Sequence, residues 1–330
     1  MVLDSPLSTV AAPVLAFVVA FFTILWLIKY KPRWVLDHPN SRSLHSVPVP
    51  RIGGLGLLLA AITIWLLFSV MIPVTVWIGI GLLIVVSFID DVKHLPVWCR
   101  LLVQVVAAAV FSADFLLHAY GWMSALCVTA AIVWMSNLYN FMDGSDGLAG
   151  GMTVIGFGYY GLFAYLAENY DFAVINFSIA AAALAFLIHN FYPARIFMGD
   201  VGAIPLGFLA AVLGILGWMN NLWSMWLPLL VFSPFIADST VTLIKRLIRG
   251  KRVWQAHREH YYQRIIQSGF GHRNTALSGY ALMLIVGGSA VWAGRQDVAV
   301  QYGVAVIWGS IYLILMFISD WYQKYYSDRG

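Results

Sequence analysis

Charge is scarce in this chain. Asp, Glu, Lys and Arg together make up 10% of 330 residues, where a soluble domain carries about a quarter. That shortfall excludes an ordinary soluble globular protein. Glutamate is nearly missing, with two against thirteen aspartates, so the acidic chemistry available is aspartate chemistry. Only two cysteines occur, Cys99 and Cys127, both in or beside apolar segments. They provide neither a disulfide framework nor a thiolate metal cluster and read as core residues. No low-complexity tract, internal repeat or soluble domain is visible, and the longest polar stretch is 245 to 274.

What remains is apolar: 61% of the residues, arranged in successive stretches of about twenty, each long enough to cross a bilayer as a helix. The expectation is an all-α polytopic membrane protein forming one integral domain over 1–330. Eleven spans are predicted, near 9–28, 53–71, 74–90, 99–118, 122–139, 151–167, 172–190, 203–219, 224–244, 275–293 and 299–318. Positive charge gives the orientation. With the N-terminus outside, 18 of the 19 Lys and Arg residues fall in inner loops or the C-terminal tail, and Arg295 alone lies outside. Lys and Arg accumulate on the cytoplasmic side, so an odd span count with the C-terminus inside is expected.

The same placement removes nucleic acid as a partner. The formal charge of +4 is accounted for by topology and anionic membrane lipids. The first segment has no basic stretch before it and reads as a retained span. Trp26, Trp34, Trp98, Trp122, Trp218 and Trp321 lie near span ends, where an aromatic belt belongs. A homodimer is compatible with all of this.

Carboxylates in or beside spans are costly and mark candidate sites. Asp4, Asp114, Glu168, Asp171, Asp297, Asp320 and Asp328 read as solvated loop or tail residues. The others gather at the inner face, in loops near 29–52, 90–99, 137–151, 190–203 and 245–274. Asp90 and Asp91 end the third span in SFIDDVKHLP, Asp143 and Asp146 end the fifth in NFMDGSDGLAGG, and Asp200 follows the seventh in NFYPARIFMGDVG. Acids from separate helices at one depth repel unless a cation sits among them, and a helix C-terminus is itself unfavourable for an anion. A hard divalent cation is the economical explanation. Magnesium takes one or two carboxylates and completes its shell with water and phosphate oxygens, so the pattern points to phosphate chemistry.

Lys93, Arg195, Arg258 and the histidines would hold further phosphate charge. Asn137 and Asn140 offer amides suited to a base or sugar edge. Phe197 is an aromatic beside Asp200 in a loop where packing does not call for one. His257 and His260, in HREH, stand one helical turn apart if that stretch is helical. Zinc is disfavoured, because HREH is not the H-E-x-x-H spacing and no third soft ligand is near. Phosphate or diphosphate contact is the better reading. His38, His45, His94, His118 and His189 read as structural. Asp238, within the ninth span, is open between a supporting role at the site and helix packing.

Five blocks occur in order from about 37 to 274: DHPNSRSLHSVPVPRIGG, DDVKHLP, NFMDGSDGLAGG, NFYPARIFMGDVG and GKRVWQAHREHYYQRI. As a set they resemble the polyprenyl-phosphate N-acetylhexosamine-1-phosphate transferases, glycosyltransferase family 4. The resemblance implies transfer of a sugar 1-phosphate from a UDP-HexNAc-type donor to undecaprenyl phosphate, releasing UMP, in the bacterial cytoplasmic membrane. It implies magnesium, with manganese as its substitute. By analogy Asp200 resembles the principal metal ligand, Asp90 the residue that deprotonates the lipid phosphate, and Asp91 its partner in holding substrate or metal. Asn140, Asp143 and Asp146 resemble the nucleotide-recognition set, and Phe197 the uracil-stacking position. His257, His260 and Lys93 would contact the diphosphate, sugar and phosphates.

Two departures stand out. HREH replaces the fuller HHH or HIHH cluster, so the third imidazole's role is vacant or falls to Arg258, and Ala203 replaces the usual Ser after MGDVG. The missing HHH argues against the phospho-MurNAc-pentapeptide translocase of peptidoglycan synthesis and favours the short transferases that initiate O-antigen or similar polysaccharides. Other classes fit less well. A transporter predicts acids at the midplane and paired repeats. An intramembrane aspartyl protease needs GxGD where this chain has FMGD. A CDP-alcohol phosphotransferase needs DG-x-x-AR where this chain reads DGLAGG.

Overall fold

The computed structural model describes residues 7–30, 35–37, 48–93, 95–253, 255 and 257–327. His38, His45 and His94 lie outside the described residues. Among the described residues, the regular elements are helices apart from a two-residue antiparallel ladder, β1 (Leu36–Asp37) with β2 (Val49–Pro50). The helices in order are α1 (Ser8–Tyr30), α2 (Gly53–Leu67), α3 (Val74–Lys93), α4 (Val97–Met142), α5 (Leu148–Leu166), α6 (Tyr170–Asn190) and α7 (Asp200–Met219). They continue as α8 (Trp226–Val231), α9 (Ser233–Ile248), α10 (Tyr261–Ile265), α11 (Gly271–Ala293) and α12 (Val298–Ser327).

Seven helical segments are long and apolar enough to cross a membrane among the described residues, with α4 counted as one of them. This is a polytopic membrane protein. The fourth and fifth predicted spans are one helical run in α4, which a straight helix of 46 residues would extend to about 69 Å. It does not stay straight. Gly121 takes φ +80°, a conformation open to glycine, and the run folds back there. Gln104 and Asn137 consequently meet across the two arms, with Nδ2 of Asn137 donating to Oε1 of Gln104 at 2.6 Å. The Nδ2 of Asn137 is thereby committed to the hairpin and to the Val133 carbonyl. The predicted ninth span is also broken, between α8 and α9, at Phe232 with Pro234 just beyond it.

The core is centred on α6 and α7, which are buried along most of their length, whereas α12 is nearly all on the surface. Small residues let α7 take that central position. A Cβ on Gly54 of α2 would lie 2.2 Å from the Cα of Gly202, so the two backbones approach more closely than any larger residue permits. This crossing packs the first turn of α2 against the first turn of α7. The cysteines are not core residues: Cys127 is exposed and Cys99 half-buried.

Candidate active site

Three segments deliver carboxylates to one end of the bundle, the C-terminal end of α3, the residue after the last turn of α4 and the N-terminal end of α7, and the N-terminal end of α4 adds Arg100. Asp91 reaches across to α7, where its Oδ2 accepts the Val201 amide at 3.0 Å and its Oδ1 the Asp200 amide at 3.3 Å. An anion at a helix N-terminus answers orphan amides and the helix dipole together. Asp91 is therefore favourable at the start of α7 although it is unfavourable at the end of its own helix. Gly199 makes the approach fit. It takes φ +75°, and a Cβ there would fall 2.2 Å from the Arg51 carbonyl oxygen and 3.0 Å from Asp91 Oδ2.

Asp90, one residue earlier, points elsewhere. Its Oδ1 accepts the Leu95 amide at 2.6 Å, and its Oδ2 lies 2.7 Å from Nη1 of Arg100. The same Nη1 is 2.9 Å from Asp200 Oδ2, so one guanidinium holds two carboxylates from different helices. Arg51 does the corresponding work for Asp91, donating from Nη2 to its backbone oxygen at 2.6 Å and placing Nε 3.8 Å from its carboxylate. The Nε atoms of Arg51 and Arg100 are both buried without a hydrogen-bond partner among the described residues. The two guanidinium groups hold the acids together and bring to the cluster the kind of cation a phosphate pairs with.

Asp143 follows the last turn of α4, half-buried, with no ion pair among the described residues. Burial first, and the Asp200 carboxylate second, push its carboxyl well above the usual carboxylate range, while the nearby Gly199 amide opposes them. The cluster of Asp90, Asp91, Asp143 and Asp200 thus has two arginines and is still short of positive charge at Asp143. Among the described residues, no three His, Cys, Asp or Glu side chains converge as a ready-made metal cage. One or two carboxylates suffice for magnesium, and these are hard oxygen donors, so Asp143 and Asp200 fit that ion by chemistry.

Asp146 is occupied with structure. Its Oδ2 accepts the Ala194 amide at 3.0 Å and its Oδ1 lies 4.0 Å from His272 Nδ1, while Ser145 bonds the same histidine nitrogen at 3.0 Å. Asn190 completes the brace, accepting the Gly147 amide and donating to the Ile196 carbonyl. The stretch ending in Gly199 is held from its other edge too. The Phe197 amide donates to Pro50 O, its carbonyl accepts from Gly53 N, and Met198 O accepts from Gly54 N. Phe197 is therefore fixed in backbone and half-buried, next to the cluster. Asn140 is half-buried nearby, without a side-chain hydrogen bond of its own among the described residues.

The histidines come from an irregular loop and not a helix. His260 caps α10 and is buried, with His257 4.8 Å away ring to ring. Asp238 fixes this arrangement: it accepts the Tyr261 and Tyr262 amides, each at 2.9 Å, and stands 3.3 Å from His260 Nδ1. The open question about Asp238 resolves into a helix cap that also holds a site histidine. His260 stacks on Phe141, and Tyr262 donates from its hydroxyl to the Phe141 carbonyl at 2.9 Å. Because Phe141 is two residues before Asp143, this latches the histidine loop onto the carboxylate cluster. His257 accepts the Glu259 amide at Nδ1, which requires that nitrogen to be unprotonated. Burial, then the adjacent His260 ring, hold its pKa down to about 4.

Two expected members stand apart. Lys93 is exposed at the end of α3 and makes no ion pair among the described residues. Arg258 lines a separate cavity that none of Asp90, Asp91, Asp143 or Asp200 borders. Asp320 is not a solvated tail residue either, because it belongs to α12 and binds Lys245 and Arg264. Arg51 and Arg100 are the residues that sequence reasoning assigned to topology alone. Arg51 lies inside the first motif block and Arg100 ten residues after Asp90.

Comparison with known proteins gives the family of the chain. The model for glycosyl transferase family 4 matches residues 73–218, the stretch holding Asp90, Asp91, Arg100, Asp143 and Asp200. A phospho-N-acetylmuramoyl-pentapeptide-transferase of Lactobacillus johnsonii is 30% identical over 244 residues, covering 64% of this chain and 75% of that protein. The chain belongs to glycosyl transferase family 4. A probable undecaprenyl-phosphate N-acetylglucosaminyl 1-phosphate transferase of Bacillus subtilis (strain 168) is 28% identical over 327 residues, covering 92% of this family 4 chain and 89% of its own length. A decaprenyl-phosphate N-acetylglucosaminephosphotransferase of Mycolicibacterium smegmatis is 26% identical, with 88% of this chain and 84% of that protein covered. This family 4 chain is thus a transferase whose homologues act on polyprenyl phosphates.

Proposed function

We propose that the protein transfers a HexNAc-type sugar 1-phosphate from a UDP-sugar to undecaprenyl phosphate at the cytoplasmic face of the bacterial inner membrane, initiating an O-antigen-like lipid-linked polysaccharide. The observation that carries this reading is the cluster of four aspartates and two arginines at one end of the bundle, beside an apolar cavity. That cavity, about 840 Å³, lies between α9, α11 and α12 and runs from Leu315 and Met316 to Tyr262 and Asp238. An isoprenoid chain entering there from the bilayer carries its phosphate toward the polar cluster. Eleven crossings follow if the α4 hairpin contributes two, the broken α8 and α9 together one, and α2 and α5 one each. The one-sided distribution of Lys and Arg supports putting the site end inside.

Asp143 and Asp200 would hold magnesium, which supplies Lewis-acid neutralisation of the charge developing on the departing UMP. The chain's own residues do the rest. Arg51 and Arg100 would orient phosphate oxygens through the part of each side chain that stays accessible. Neutral His257, its Nδ1 engaged by the Glu259 amide, carries its proton on Nε2 and would donate a hydrogen bond from there to a phosphate or sugar oxygen. In the reaction a lipid phosphate oxygen bonds to the sugar-bearing phosphorus, the bond from that phosphorus to the bridging oxygen breaks, and UMP leaves with the electron pair. Direct displacement is favoured over an aspartyl-phosphate on Asp90, because both Asp90 oxygens are already engaged.

N-acetylglucosamine-1-phosphate transfer is preferred to pentapeptide translocation because the likeness to the Bacillus protein runs over 92% of the chain and the Lactobacillus match over 64%. The test is UMP release by purified protein given undecaprenyl phosphate, magnesium and a panel of UDP-HexNAc donors. Release with at least one donor, lost in Asp200→Asn, is expected. No release from any donor with competent lipid and metal would overturn the proposal, and inversion at the transferred phosphorus separates direct from double displacement.

A further inference from the structure

Outside the aspartate cluster, a second polar cavity of about 550 Å³ lies between the last turns of α9, the histidine loop and α12. Its lining carries four cations, Lys245, Arg249, Arg258 and Arg264, against two carboxylates, Glu259 and Asp320. Both carboxylates are already committed. Asp320 binds Lys245 and, at 2.7 Å, Arg264. Glu259 is claimed by Arg246 and by Lys251 at 3.0 Å, neither of which lines the cavity. The cavity therefore keeps an excess of positive charge. Part of it is rigid, because Lys245 and Arg264 sit over the Tyr261 ring at 5.2 and 4.7 Å.

The location identifies the class of anion. Leu247 and Ile248, on the same last turns of α9, are 67% and 79% exposed, and Ile318 on α12 is 53% exposed, so apolar side chains stand uncovered at this span end as contact with lipid would leave them. A basic recess opening beside lipid-facing residues at a span end suits an anionic headgroup whose acyl chains stay in the bilayer. None of the four clustered aspartates lines the recess. The cavity assigned to the polyprenyl carrier, in contrast, borders Met142, next to Asp143, so a lipid held in this recess is a different one.

We propose that this recess is a binding site for the headgroup of an acidic phospholipid of the phosphatidylglycerol or cardiolipin type, distinct from the polyprenyl carrier. The site does not depend on the transfer reaction proposed above. Such a lipid would tie α9 to α12 through the loop that carries His257 and His260.

The test uses the full-length protein, delipidated in detergent and titrated with phosphatidylglycerol or with phosphatidylcholine of the same acyl chains, bound lipid being read by native mass spectrometry. Preference for phosphatidylglycerol is expected, weakened about fivefold in Arg249→Ala, the loss of one basic contact near the membrane surface. Arg249→Lys, which keeps the charge, should retain the preference. Arg249 is exposed with no side-chain partner among the described residues, so its removal leaves the fold intact. Equal retention of the two lipids, or no change in Arg249→Ala, would overturn the proposal. So would displacement of phosphatidylglycerol by inorganic phosphate, which would make the anion a soluble one, or by undecaprenyl phosphate, which would return the recess to the carrier.

Discussion

Arg100 gives the sharpest prediction. Its Nη1 stands 2.7 Å from Asp90 Oδ2 and 2.9 Å from Asp200 Oδ2, so those oxygens lie within about 6 Å of each other. Arg100 and Asp200 keep part of their surface exposed, with 26% and 22% of the side chain accessible, which argues for an effective dielectric near 20 rather than 4. At that value two unit charges repel by about 3 kcal/mol at this outer limit of separation, and by more when closer. Arg100→Met removes the cation and leaves the repulsion, to be relieved only by a proton or another cation. Thermal unfolding of the detergent-solubilised protein, followed by tryptophan fluorescence, should show a lower midpoint for Arg100→Met in the absence of divalent metal. Magnesium should raise that midpoint more than it raises the wild type's, because the ion takes over a charge that Arg100 otherwise supplies. Arg100→Lys should fall between. An unchanged midpoint with an unchanged magnesium response would refute the argument that Arg100 holds this cluster together.

Other outcomes follow from the same geometry. A Cβ on Gly144 would lie 2.2 Å from the Tyr262 hydroxyl, so Gly144→Ala should destabilise by about 1–3 kcal/mol in denaturant unfolding, with Tyr262→Phe in the same chain recovering part of it. Asp238→Ala removes the cap of α10 and the partner of His260. It should cost about 0.5–2 kcal/mol and raise amide exchange over residues 257–265 by mass spectrometry; unchanged exchange would deny the cap. His257, held down to about 4 from an ordinary value of 6.5, binds its proton less readily folded than unfolded. Stability should therefore fall as pH drops from about 6.5 toward about 4, and His257→Gln should flatten that part of the profile.

Much of the site was legible in the sequence because scarcity of charge makes each remaining charge informative. Asp90, Asp91, Asp143 and Asp200 were identifiable as acids at span ends, where a membrane protein keeps few. The structure draws those four into one cluster. Arg51 and Arg100 were not legible, because any inner-loop arginine satisfies the positive-inside pattern and nothing in one dimension separates a topological cation from one that bridges two aspartates. The bracing done by Asp146 and Asn137 was hidden for a related reason, since only the folded chain shows their hydrogen bonds to Ala194 and Gln104. The helical spacing of His257 and His260 was also wrong as a geometry, since the rings meet through a loop that Asp238 pins from α9.

By itself the sequence determined that this chain lives in a membrane, that its spans are helical and that its acids collect at one end. Those properties follow from local quantities, the length of each apolar run and the side on which charge falls. Only the tertiary structure decided which acids share a cation, which polar groups are consumed in bracing, and that Asp91 caps a helix 109 residues further on. Such pairings depend on the close crossing at Gly54 and Gly202 and on the fold-back at Gly121, contacts between segments far apart in the chain, which no periodicity within a single segment encodes.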